Sequence, residues 1–186
     1  QNMPDFKERA KIGYVPQKAA DFASNFPATV YEVTLMGGFA RRGLIHRTTK
    51  EDHLNAKRAL DLVEISGLHN RLIGELSRGE QQKVFIARAL ATEPEIVFLD
   101  EPTAGIDKET KNDFYNLLKR LNEQLNLTVV LITHDIESIK YGSMHIACID
   151  RTLFFHNSLE EYLRETEARQ SSKIEPRLIT HHRHNV

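Results

Sequence analysis

Residues 95–107 read EIVFLDEPTAGID, and this stretch decides the fold. From Ile96 to Leu99 four apolar residues run without alternation, the pattern of a strand covered on both faces. The run ends abruptly in two carboxylates, Asp100 and Glu101. Such a strand delivers acid to one edge of a sheet, and in open α/β sheets ligands bind outside the carboxyl ends of the strands. Pro102 and Gly105 then turn the chain, and Asp107 is placed to cap the helix that follows.

Downstream of this stretch, Phe114, Leu117, Leu118, Leu121 and Leu125 recur at helical spacing, with Asn126 as the C-cap. A second continuous apolar strand, LTVVLIT, begins at Leu127. Strand, helix, strand in this length is a βαβ unit, right-handed with rare exceptions, so the two strands are parallel and their carboxyl ends share an edge. His134, just past the second strand, therefore falls on the same side as Asp100 and Glu101. Upstream, LSRGEQQ (76–82) places Ser77 three residues before Glu80, a capping box that starts a helix. The helix runs through VFIARALA with Val84, Ala87, Leu90 and Ala91 on one face, and stops before Pro94. Exposed amides at its N-terminus, a serine hydroxyl and a glycine that lets a ligand come close make an anion site.

Ile12–Val15 reads as a short strand that Pro16 and Gln17 end. From Lys18 to Glu75 the pattern is helical and free of strands. A short helix around Val30–Met36 is expected to stop at Gly37 and Gly38. A basic loop with Arg41, Arg42, Arg47 and Lys50 closes on Thr49 or a neighbour as a helix cap. Leu54, Leu60, Leu62, Val63 and Ile65 then supply an apolar face for a helix that Gly67 ends. This is a helical subdomain inserted into an α/β core. Beyond His134, Ile136–Tyr141 reads as a short helix, and HIACID and TLFFH as two strands joined at Asp150 and Arg151. Ser158 with Glu161 is a second capping box. The last stretch, SSKIEPRLITHHRHNV, has no apolar periodicity and reads as a mobile tail; His181, His182 and His184 on it make at best a loose metal site.

The 186 residues suffice for one domain with a real core, and 40% hydrophobic with 27% charged content is that of a soluble globular protein. A formal net charge of -1 gives no basic field to recommend nucleic acid as a partner. The single Cys148, in the apolar run HIACI, reads as a small core residue and fits a reducing compartment. No apolar run approaches the roughly 18 residues a membrane span needs, and no signal sequence opens the chain. The first residues lack an initiating Met and lead quickly into a buried-looking strand, as in a chain entered partway through.

IVFLDEP followed by TAGID resembles the Walker B and D-loop segments of ATP-binding cassette (ABC) ATPases. IGYVPQ resembles their Q-loop, LSRGEQQ their signature LSGGQ, and LITHD their H-loop, in the family's order. NFPATVYEVTLMG, the GLIHR loop and RLIGELS are further similar to the branch of bacterial importers that serve zinc, manganese or iron. The resemblance implies a P-loop NTPase-like α/β core with an inserted α-helical subdomain, ATP and Mg²⁺ as cofactors, and hydrolysis coupled to metal-cation import. It implies Asp100 and Gln17 as groups for Mg²⁺, Glu101 as general base, and Gln17 and His134 to orient water and γ-phosphate. Ser77, Arg78, Gly79, Glu80 and Asp107 would meet ATP held by the opposite subunit. Arg78 stands where the family pattern has Gly, and either strengthens anion binding or crowds it; Glu80, in place of Gln, brings negative charge unless the capping box turns it away.

On this reading residues 1–17 end a core strand and the Q-loop, 18–92 form the helical subdomain with the signature, 93–169 the α/β core, and 170–186 the tail. The implied partners are a transmembrane permease, a second copy as homodimer and, indirectly, a metal-binding solute protein, at the cytoplasmic face of a bacterial membrane. None of the nine glycines is followed by Lys, so the Gly-rich phosphate loop G-x-x-x-x-G-K-[ST] is not in this sequence. The expected fold therefore lacks its N-terminal strands and that loop, and the chain alone is expected to be inactive. Two other readings stay open. One is a degenerate, non-hydrolysing module that docks to a membrane partner; the other is an ABC ATPase outside transport.

Overall fold

The computed structural model describes residues 11–17, 26–39, 47–135, 145–150 and 152–171. The sequence readings at Arg41 and Arg42, at Ile136–Tyr141, at Arg151 and at His181, His182 and His184 lie outside them. Two compact units divide the chain, Gln1–Ser138 and Ile139–Val186. The division falls within the 93–169 segment grouped above as one core.

The first unit holds a three-stranded sheet in the order β1 (Ile12–Val15), β2 (Ile96–Asp100), β3 (Thr128–Ile132). Both pairings are parallel, with Val15 opposite Leu99 and Asp100 opposite Ile132. This is the arrangement the βαβ pattern requires. One face of the sheet carries Val15, Val97 and Leu99, all buried. Gly13 lies on that face, where an added Cβ would sit 3.2 Å from the Ala89 Cβ and 2.9 Å from Val97 Cγ2. The other face is only partly covered, with Tyr14 exposed and Phe98 half-buried. The expectation that β2 is buried on both faces is thus corrected to one.

Three helices, α1 (Val30–Leu35), α2 (Lys50–Leu62) and α3 (Arg78–Leu90), pack against one another. Each opens on a reciprocal capping box, Thr29 with Glu32, Thr49 with Asp52, and Ser77 with Glu80. Each box satisfies amides that a helix start would otherwise leave unpaired. α3 is buried nearly all round, Gln81, Gln82, Phe85 and Ile86 included, so its apolar face is wider than the sequence pattern suggested.

Two helix endings differ from expectation. Gly37 and Gly38 continue α1 as a 3₁₀ turn, Met36–Gly38, instead of stopping it. Their small size serves packing, because a Cβ on Gly37 would lie 2.1 Å from the Arg88 carbonyl oxygen. α2 ends at Leu62 and the chain turns off it at Glu64, whose φ of 62° is left-handed, while Gly67 lies in a later 3₁₀ turn where, among the described residues, nothing stands within 4 Å of an added Cβ. Leu54, expected on the apolar face of α2, is 48% exposed; the buried positions are Asp52, Asn55, Ala56, Ala59 and Leu60. Helix α4 (Lys108–Leu125) buries Phe114, Leu117, Leu118 and Leu121 and ends at a left-handed Asn126 as read, but Leu125, expected on the same apolar face, is exposed in the last turn.

In the second unit β4 (Ile146–Asp150) and β5 (Thr152–His156) form an antiparallel hairpin followed by α5 (Leu159–Ser171). His156 is buried edge-on to Tyr162. Alternate residues leave the hairpin's other face open, with Ile149 83% and Phe155 70% exposed. Cys148 is half-buried and free rather than a core residue. At the start of α5, Ser158 accepts from the Glu161 amide, but the carboxylate returns to the amide of Asn157 instead of Ser158.

The packing at Gly37 makes a clean stability test. Gly37→Ala should destabilise the chain by about 1–3 kcal/mol through overpacking against a backbone carbonyl that cannot rotate away. Gly67→Ala, with open space around it, should be neutral or stabilise by up to about 1 kcal/mol by restricting the unfolded chain. Urea unfolding of the two variants checks both signs.

Candidate functional site

Because the three parallel strands are in register, Gln17, Asp100 with Glu101, and Thr133 with His134 all emerge at one edge of the sheet. Glu101 is fixed most firmly. Its backbone amide donates to the Ile132 carbonyl at 2.8 Å, which joins the end of β2 to the end of β3. Its φ of 46° is left-handed, a conformation that costs a non-glycine residue about 1 kcal/mol or more and gathers at functional sites.

The turn after β3 holds the Glu101 carboxylate. Oε1 accepts from the His134 amide at 2.9 Å and lies 2.6 Å from His134 Nδ1. Among the described residues Oε2 accepts only from the Thr133 hydroxyl, at 3.4 Å. Oε2 therefore has the spare acceptor capacity, and is the oxygen placed to take a proton. The Glu101 side chain is 15% exposed and the His134 side chain 86% exposed. An ionised Glu101 requires the proton on Nδ1, which leaves Nε2 of an open ring for a ligand.

Asp100 ends β2, half-buried, and its Oδ2 accepts from the Tyr14 hydroxyl at 3.2 Å. Desolvation first, then the Asp100 carboxylate it donates to, pushes the Tyr14 phenol above its ordinary value. Gln17 is exposed in the turn after β1, and among the described residues no hydrogen bond joins it to Asp100, Glu101 or His134. The carboxylate of Asp100 and the amide oxygen of Gln17 are hard oxygen donors. Mg²⁺ is commonly bound through one or two carboxylates together with phosphate oxygens and water, so the donor set fits that ion.

The signature residues form a second cluster. The Ser77 hydroxyl donates to Glu80 Oε2 at 2.7 Å and accepts from the Glu80 amide at 3.3 Å, while the Ser77 amide donates to Oε2 at 2.8 Å. The Glu80 carboxylate is thereby turned back onto the cap, the geometry in which its charge is answered locally. Those bonds from Ser77, side chain before backbone, hold the Glu80 carboxyl below its ordinary value.

The N-terminus of α3 lies against the start of α4. A Cβ on Gly79 would stand 2.7 Å from Thr110 Cγ2, and one on Gly105 would stand 3.7 Å from Arg78 Nη1. Asp107 caps α4, accepting from the Thr110 amide at 3.0 Å and the Thr110 hydroxyl at 2.7 Å. The structure thus groups Ser77, Arg78, Gly79 and Glu80 with Gly105 and Thr110, and separately groups Asp100, Glu101 and His134. Sequence reading gave no role to Tyr14 or Thr133. Tyr14 had a signal, since strand alternation puts it on the Asp100 face.

Residues 3–104 match the family model described as ABC transporter. The chain is 43% identical over 162 residues to the zinc uptake system ATP-binding protein ZurA of Listeria monocytogenes, covering 87% of this chain and 63% of that protein. It is 41% identical over 157 residues to the manganese transport system ATP-binding protein MntB of the same species, covering 84% and 65%. Among solved structures, the inward-facing conformation of a metal-chelate type ABC transporter superposes with a TM-score of 0.73 at 30% identity, covering 80% of this chain and 59% of that one. The chain spans somewhat under two thirds of the length of these relatives.

The lowered carboxyl of Glu80 gives a signed pH dependence. Its contribution to stability is present above the ordinary value of 4.5 and is lost as the pH falls through the lower folded-state value. Wild type should therefore exceed Glu80→Ala in stability at neutral pH, by roughly 0.5–2 kcal/mol if the box acts as a typical cap. The gap should narrow on acidification, which denaturant melts of both proteins across that range will read.

Proposed function

The chain belongs to the ABC transporter family, and from that premise we propose that the protein is the ATP-binding and ATP-hydrolysing subunit of a zinc or manganese importer. The observation that carries this reading is the Glu101–His134 contact beside Asp100, at the edge where the parallel strands end. Glu101, with Oε2 lightly engaged, is the base that takes the proton of the attacking water. His134, held by Glu101 at Nδ1, meets the γ-phosphate through Nε2. Asp100 and Gln17 would hold Mg²⁺, which when bound would supply positive charge against the phosphate oxygens. Phosphoryl transfer asks chiefly for placement and charge neutralisation, and these groups supply both.

Ser77, Arg78, Gly79, Glu80 and Asp107 are assigned to nucleotide held by a second copy in a homodimer. A transmembrane permease is the membrane partner, with a metal-binding solute protein acting upstream and no nucleic acid involved. Among the described residues no helix is long and apolar enough to cross a membrane. Attachment at the cytoplasmic face of a bacterial membrane then runs through the permease. The similarity to zinc and manganese system proteins supports the cargo class. The 186 residues contain no Gly-Lys phosphate loop. Loss of even one well-placed oxyanion donor commonly costs about 10² to 10³ in rate, so this chain by itself should show negligible hydrolysis.

Glu101→Gln in the full-length protein tests the reading. ATP binding should persist, while hydrolysis falls by about 10² to 10⁴, the usual worth of a general base. Nucleotide binding by fluorescence and phosphate release report the two halves, and undiminished phosphate release would refute the assignment.

A further inference from the structure

We propose that Lys111 is a positioning residue of the hydrolytic site, acting through Asp135 on the turn that holds Glu101. Lys111 Nζ pairs with Asp135 Oδ2 at 3.0 Å, and both side chains are largely sheltered from solvent. The Asp135 amide donates to the Thr133 hydroxyl oxygen at 3.0 Å. That hydroxyl in turn donates to Glu101 Oε2, and the intervening residue, His134, holds Oε1 with both its amide and its ring. Residues 133–135 thus form one tight turn with Glu101 on one side and Lys111 on the other. A hydroxyl that accepts from Asp135 can direct its only proton to Glu101, so the orientation of Thr133 follows the position of Asp135.

Lys111 is itself fixed by the helix it stands on. Its amide donates to the Asp107 carbonyl at 3.0 Å, one turn into α4, beside the cap formed by Asp107. The ion pair therefore ties the start of α4 to the turn that sets both oxygens of the base. Without that tie, the Glu101 carboxylate keeps its neighbours but loses the anchor that fixes their orientation.

This inference rests on the proposed ATP hydrolysis, and its test separates the two. In the full-length protein, Lys111→Met should lower kcat by about 10- to 100-fold, the scale of a misplaced catalytic group, with KM for ATP changed by no more than about twofold. Lys111→Arg, which keeps the charge, should restore most of the rate. Independently of hydrolysis, the His134 ring resonance in NMR spectra without nucleotide should shift in Lys111→Met and return towards the wild-type position in Lys111→Arg. An unchanged kcat or an unmoved His134 resonance in Lys111→Met would overturn the proposal, as would an Arg variant no better than Met. If the wild-type full-length protein fails to hydrolyse ATP, the proposed function falls, and the His134 resonance alone decides the role of Lys111.

Discussion

Parallel pairing of β2 with β1 on one side and β3 on the other is the constraint from which the site follows. Each parallel strand points its carboxyl end the same way, so residues far apart in sequence are delivered to one edge without any loop having to carry them there. The register then sets depth. Asp100 stands opposite Ile132, and the next residue, Glu101, bonds through its amide to the Ile132 carbonyl. A one-residue slip of β3 would turn its side chains to the opposite face and draw His134 away from the Glu101 carboxylate.

The left-handed backbone at Glu101 belongs to the same constraint. A carboxylate extended straight off the end of β2 would continue the strand; the positive φ turns it sideways towards the end of β3. Three contacts from Thr133 and His134 and one backbone bond hold a conformation that an isolated peptide would disfavour. This edge of the sheet is thus preorganised by the strands and by the turn after β3, and the chemistry proposed for it needs little further ordering of Glu101.

Much of this was legible in the sequence because it depended on local rules. The strand from Ile96, the Ser77 and Thr49 caps, the Asn126 ending and the parallel βαβ unit each follow from short-range chemistry or chain topology. What was not legible depended on distant partners. Gly37 looks like a helix stop until the Arg88 carbonyl is seen against it, and Leu54 counts as apolar-face only under ideal periodicity, while α2 buries Asp52 and Asn55 instead. Glu80 looked like an unwelcome charge, and the capping box that was also visible in the sequence proved to be what answers it. Lys111 lies in no motif, Asp135 closes LITHD without a role of its own there, and only folding brings the two together. The β4–β5 hairpin folds as the two strands read from the sequence, and only the burial of Cys148 was overstated.

The near-contact of Gly79 with the Thr110 methyl sets a rule for how this sequence can change. There is no room for a side chain at position 79 while a methyl occupies the facing position, and Thr110 is also the residue that Asp107 caps through its amide and hydroxyl. Serine at 110 would keep the hydroxyl and give up the methyl, so it is the substitution that opens space for alanine at 79. Position 79, in the signature, is therefore tied to position 110 in the first turn of α4 and cannot gain a side chain before the methyl at 110 is given up. A variant library that samples position 79 alone would report it as intolerant and miss the combination that is allowed.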